Sequence, residues 1–276
     1  MVNILGSIQV YGVPSCGPWL IRAMRVLFWI YTAVTLIVAI VQYWYLFTGP
    51  RQLTIQSMTP SWVLPILPVM LCGTLASLIA SSQPPVQRAP IIVAGVTLQG
   101  LGWMVSFLMY AIYLGRLMQY GLPAPNLRPG MFIAVGPPSF TGLALIGLSN
   151  SLPQTAYFAT HPSAPEVLRI VALFMAIFLW TLAFWFFCIT VISVLIGIRK
   201  MSFHLVWWAF VFPNVGFTIA TIDIGTQLES QAILWVGSIM TILLVCMWIF
   251  VFVSHLRALL TRNMMMPGMD EDKGGF

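Results

Sequence analysis

The chain has 276 residues, of which 60% are hydrophobic and only 7% charged, with a net charge of +6 at neutral pH. A soluble globular domain is roughly 25% charged, so the composition excludes an ordinary soluble domain and points to an all-α polytopic membrane protein. The positive balance carries no nucleic-acid meaning, because the basic residues stand at the ends of apolar runs, as membrane anchors do.

A helix needs about 20 apolar residues to cross a bilayer. Seven segments qualify, at 20–48, 61–81, 89–118, 130–149, 166–197, 203–225 and 230–260. The first, third, fifth and seventh are long and dense in aromatic or β-branched residues, which suits contact with lipid. The fifth would reach about 48 Å at 1.5 Å per residue, so it must tilt or protrude. The second, fourth and sixth are short, and each carries a proline closely followed by a glycine: Pro68 and Gly73, Pro138 and Gly142, Pro213 and Gly216. The three prolines stand 70 and 75 residues apart. The repeating unit is therefore a hairpin of one broken inner helix and one long outer helix, and a fixed period of this kind means repeats around a common axis. Residues 1–263 read as one transmembrane domain. Residues 264–276, with Asp270, Glu271 and Asp272, read as a short disordered tail.

Charge sets the expected orientation. Arg51, Arg116, Arg128, Arg199, Lys200, Arg257, Arg262 and Lys273 fall on the side of the C-terminus, and only Arg22, Arg25, Arg88 and Arg169 on the other. Positive residues collect inside, so the C-terminus is expected in the cytosol and the N-terminus outside. Arg22 and Arg25 at the start of the first span oppose this locally, which hints that earlier spans are missing.

A proline inside a helix removes one backbone bond and crowds the carbonyl four residues back. In lipid that carbonyl must find another partner, so such breaks belong where helices face protein or a water-filled path. Entering from the cytosolic side, Pro68, Pro138 and Pro213 lie about 10–15 Å deep, near the centre of a core about 30 Å thick. Broken spans at one depth mark a pore or binding site. The candidate lining residues are Pro68, Gly73, Thr74, Gly136, Pro138, Phe140, Thr141, Asn214, Gly216 and Thr218, with Ser139 and Phe212 at the same level. No charged residue lies there; the nearest, Asp223, falls at a helix end. A weakly polar path with helix N-termini and aromatic rings suits anions better than chelated cations.

Other chemistry finds no footing. Cys16, Cys72, Cys188 and Cys246 show no metal spacing, and His161, His204 and His255 are scattered. No nucleophile, base and acid can be placed at one depth. The sequence thus gives no catalytic site, no metal and no cofactor.

The stretches Met58 to Ala76, Gln99-Gly-Leu-Gly102, Arg128-Pro-Gly-Met-Phe-Ile-Ala-Val-Gly-Pro-Pro-Ser-Phe-Thr141 and Trp207-Trp-Ala-Phe-Val-Phe-Pro-Asn-Val-Gly216 resemble the tellurite-resistance/dicarboxylate transporter family, within it the fungal malic acid transport proteins. Plant slow anion channels are distant relatives. The resemblance covers about residues 10–260. It implies ten spans in five hairpins, five inner helices around a central pore, a homotrimer, and an aromatic gate on the ninth span. The matching Phe-Pro position carries that gate role to Phe212 and Pro213. On this alignment the first span here matches the fourth of the family, so the chain corresponds to the C-terminal seven of ten helices, and three inner helices do not close a five-helix lumen alone. The function implied is passage of small anions across the plasma membrane, malate or another C4-dicarboxylate first and sulfite second. Two alternatives stay open: an incomplete chain without transport of its own, and a seven-span receptor, against which the hairpin repeat argues.

Overall fold

A computed structural model describes residues 2–49, 54–153 and 160–261. Arg51, Arg262, Lys273 and the 264–276 tail, all used above for orientation, lie outside the described residues. Every regular element among the described residues is helical. The α-helices are α1 (Val2–Ser7), α2 (Pro18–Thr48), α3 (Leu67–Ile79), α4 (Pro85–Tyr120), α5 (Gly136–Asn150), α6 (Ala164–Gly197), α7 (Phe212–Gln227) and α8 (Gln231–Leu260).

By length and composition, six helical stretches among the described residues can cross a membrane: α2, α4, Pro125–Asn150, Ala164–Lys200, Leu205–Gln227 and α8. The count of seven expected from the sequence is not reached, because the second segment is shorter. Its apolar helix, Leu67–Ser82, falls below the length of a full span. The alternation of inner and outer elements is plain in the burial. The most apolar stretch of Pro125–Asn150 is 83% buried, whereas that of α8 is 11% buried. Almost all of α3 is buried, from Val69 to Ala76 without interruption.

The prolines act differently from a kink in a continuous helix. Each inner α-helix is preceded by 3₁₀ turns: Pro60–Val63 before α3, Pro125–Val135 before α5, and Leu205–Phe210 before α7. Pro68 and Pro213 are each the second residue of their α-helix, and Pro137 and Pro138 the second and third of theirs. The first turn of a helix has backbone N–H groups without intrahelical partners, so a proline there forfeits nothing. The carbonyl four residues before Pro138 is Ala134 O, and the Tyr110 hydroxyl donates to it at 2.9 Å. The backbone partner that lipid cannot supply is thus a tyrosine. Tyr110→Phe keeps the ring against Phe186, 4.9 Å away, and leaves that carbonyl unpaired. It should lower stability by about 1–3 kcal/mol, read as a drop in Tm of the detergent-solubilised chain. Tyr11→Phe, at an exposed ring, should leave Tm unchanged.

The fold divides into two compact units. The first draws on Met1–Gln52, Trp62–Met109 and Pro137–Trp180, the second on Leu53–Ser61, Tyr110–Gly136 and Thr181–Phe276. In the first, α3 is the buried centre. The Tyr31 hydroxyl on α2 donates to Pro68 O at 2.7 Å. The C-terminal end of α3 is closed by Arg88, whose Nη2 donates to Ser81 O at 2.8 Å and Gln83 O at 3.2 Å, a cation at the negative helix end. In the second unit, Gly237 lets α8 come close to Ile222 of α7. Arg128, read from the sequence as a membrane anchor, ties the 3₁₀ turns before α5 to α6: its Nη1 donates to Ser193 O at 2.9 Å and its Nε to Pro123 O at 3.1 Å.

Candidate functional site

Within the first unit, polar side chains meet where α3, α4 and α5 pack. Helix α4 runs antiparallel to α3. A Cβ added at Gly102 would lie 2.9 Å from Met70 Cα, and one at Gly73 would lie 2.6 Å from the Gln99 Cβ and 2.9 Å from Gly95 O. No side chain larger than hydrogen fits at either position. Through the gap over Gly73, the Gln99 amide crosses to α5 and donates from Nε2 to Thr141 Oγ1 at 2.9 Å. Thr141 in turn donates to Pro137 O at 2.7 Å. Both hydrogen-bonding directions of this hydroxyl are therefore used inside the protein.

Two polar atoms at this seam have no partner. The Gln99 carbonyl, Oε1, and the Thr74 hydroxyl, Oγ1, are sealed from solvent and make no hydrogen bond. Most helical serines and threonines of this chain return their proton to a carbonyl three or four residues back, as Thr35, Ser106, Thr141, Thr190 and Thr221 do. Thr74 departs from that pattern. An unpaired buried polar group costs about 1–3 kcal/mol, so two such atoms on one seam call for a reason. Sequence reading placed Gly73, Thr74 and Thr141 near each other by depth but missed Gln99. Its signal was a lone amide in an apolar span, within Gln99-Gly-Leu-Gly102.

The remaining positions on α5 are closed in. Gly136, Pro138, Ser139 and Phe140 are all buried.

In the second unit, α7 carries Phe212, Pro213, Asn214, Gly216 and Thr218. Asn214 donates from Nδ2 to Phe210 O at 2.9 Å, which turns Oδ1 away, buried and unpartnered. Thr218 lies one turn on and is also buried. Rings pack in a chain from Phe210 to Phe132 at 5.4 Å, Phe132 to Phe187 at 5.7 Å and Phe187 to Phe217 at 5.5 Å. Phe217 is 2% exposed and belongs to that core, whereas Phe212 is only half-buried. His255 accepts from Trp208 Nε1 at 3.1 Å through Nδ1 and stacks on Phe203, a structural role at the end of α8. Among the described residues no three His, Cys, Asp or Glu side chains gather as a metal set.

Buried inner helices begun by proline, long outer helices with bare apolar faces, and uncharged polar side chains in the interior define an integral membrane protein built of inner and outer helices. The chain belongs to the SLAC1 family of voltage-dependent anion channels, whose family model matches residues 1–256. It is 38% identical over 274 residues to the malic acid transport protein of Schizosaccharomyces pombe, covering 98% of this chain and 62% of that protein. A putative malic acid transport protein of the same organism is 35% identical over 97% of this chain and 63% of its own length. The sulfite efflux pump SSU1 of Trichophyton rubrum is 26% identical over 91% of this chain and 67% of its own length. The chain thus spans less than two thirds of the length of the two malic acid transport relatives. No solved structure matches it.

Proposed function

We propose that this protein carries small anions across a membrane, with malate or another C4-dicarboxylate as the first substrate. The observation that carries this reading is the 38% identity to a malic acid transport protein over nearly the whole chain. The uncharged polar interior agrees with it. Amide, hydroxyl and backbone groups hold an anion weakly enough to release it, as conduction requires. Sulfite stands second, on the more distant relation to a sulfite efflux pump. The lining is assigned to Pro68, Gly73 and Thr74 of α3, Gly136, Pro138, Phe140 and Thr141 of α5, and Asn214, Gly216 and Thr218 of α7. Phe212 and Pro213 form the gate. The protein sits in the plasma membrane as a homotrimer.

Proteoliposomes holding the purified full-length protein should take up radiolabelled malate faster than empty liposomes, with unlabelled malate competing better than sulfite. Uptake equal to that of empty liposomes overturns the assignment, and stronger competition by sulfite reverses the order of substrates.

The orientation is part of the proposal: Lys200 faces the cytosol and Ser163 the outside. In a chain whose exposed Cys16 and Cys246 are replaced by serine, an impermeant thiol reagent added to intact cells should label Ser163→Cys and spare Lys200→Cys. The opposite pattern inverts the topology.

A further inference from the structure

Met70, Thr74 and Ser77 follow one another along one face of α3. Met70 Sδ lies 3.8 Å from Thr141 Oγ1, and the Ser77 Cβ would be 2.7 Å from a Cβ at Gly147. That face therefore points at α5, and Thr74 stands on it between the two contacts. A Cβ at the preceding residue, Gly73, would fall on Gln99 Oε1, so the Gln99 carbonyl lies over α3 at the same level. Gln99 Nε2 is held by Thr141 at 2.9 Å. Turning the amide over would set its oxygen against a hydroxyl whose proton is already given to Pro137 O. The atom left over is for that reason an acceptor, and the next residue of α3 after Gly73 carries a threonine hydroxyl that can donate or accept. Both side chains are more than nine-tenths buried, Gln99 2% and Thr74 6% exposed. A fixed acceptor and a hydroxyl on one seam match a group that is itself both donor and acceptor. They do not match a carboxylate, which only accepts.

We propose that Thr74 and Gln99 form a specificity-determining pair for the hydroxyl group of a hydroxylated dicarboxylate, engaged when the α3–α5 seam opens to admit the substrate. This rests on the dicarboxylate reading above and adds to it the part of the substrate that is read. The pair leaves the carboxylates to other groups. It discriminates because an analogue without the hydroxyl leaves Gln99 Oε1 and Thr74 Oγ1 unpaired, and sites built on hydrogen bonds reject such analogues strongly.

Titration calorimetry on the full chain in detergent tests it with two probes, L-malate and succinate, which differ by that hydroxyl. The unaltered chain should bind malate about tenfold more tightly than succinate, a difference of about 1.4 kcal/mol. Thr74→Val keeps the shape and removes the hydroxyl. It should bring the two affinities within about twofold while succinate binding stays the same. Thr74→Ser should keep the preference, and Gln99→Leu should lose it. Equal affinities in the unaltered chain, or equal losses for both acids in Thr74→Val, overturn the pairing and leave the seam as a site for ordered water. In that case malate still binds, so the dicarboxylate reading survives. Binding of neither acid by the unaltered chain removes both.

Discussion

Phe212→Ala should raise malate flux through the reconstituted full-length protein. The ring stands at the first residue of α7, ahead of Pro213, and is only half-buried. In the gate role proposed above, an apolar ring blocks both ion and water by keeping the constriction dry. Loss of about 1.4 kcal/mol of barrier speeds passage about tenfold, and that is the rise expected. The preference for malate over sulfite should hardly change, because the ring excludes without choosing. Phe217→Ala is the instructive comparison. Phe217 is 2% exposed and packs on Phe187 at 5.5 Å, so its truncation leaves a cavity costing about 3–5 kcal/mol. That variant should show lower Tm and lower yield without faster flux. If Phe212→Ala instead loses stability as Phe217→Ala does and conducts no better, the ring is core and the gate lies elsewhere.

The sequence carried the division into inner and outer helices because two separate physical signals agree on it. Proline and glycine mark Pro68, Pro138 and Pro213 at nearly even spacing, and bulky apolar residues crowd the spans between them. The same prolines left the lead-in turns hidden. An α-turn and a 3₁₀ turn bury similar apolar positions over a few residues, so nothing local in Arg128-Pro-Gly-Met-Phe says that the chain enters α5 through 3₁₀ turns. Arg128 shows a second limit. A cation at the end of a span reads as an interfacial anchor, yet its guanidinium reaches Ser193 O, 65 residues away. Gln99 shows the same limit more sharply. Its partner Thr141 is 42 residues distant and its clearance depends on Gly73, so the site appears only once three helices are packed. What the sequence does hold is the anomaly of an amide in an apolar span, and such residues usually face the protein interior.

Gly73→Ala should be among the most damaging one-carbon changes in the chain. The added Cβ would stand 2.6 Å from the Gln99 Cβ and 2.9 Å from Gly95 O, closer than carbon atoms tolerate. Gly95 O belongs to the helix backbone, so side-chain rotation gives no relief and α3 must move away from α4. Overpacking of this kind costs about 1–3 kcal/mol. Moving the helices apart also pulls Gln99 from Thr141, and a buried amide left unpaired adds about 1–3 kcal/mol. Gly100→Ala, on α4, makes the opposite case. A Cβ there meets nothing within 4 Å, and alanine in a helix interior is favoured over glycine by about 0.5–1 kcal/mol. Thermal unfolding of the two variants in the same detergent should therefore move in opposite directions, Gly73→Ala down by several degrees and Gly100→Ala level or slightly up. Malate binding adds a second reading. Gly73→Ala should weaken it, because the Gln99 carbonyl no longer lies over α3, while Gly100→Ala should bind as the unaltered chain does. Equal stability of the two variants would mean that α3 and α4 do not approach at Gly73, and the seam that holds Gln99 against Thr141 would fall with that contact.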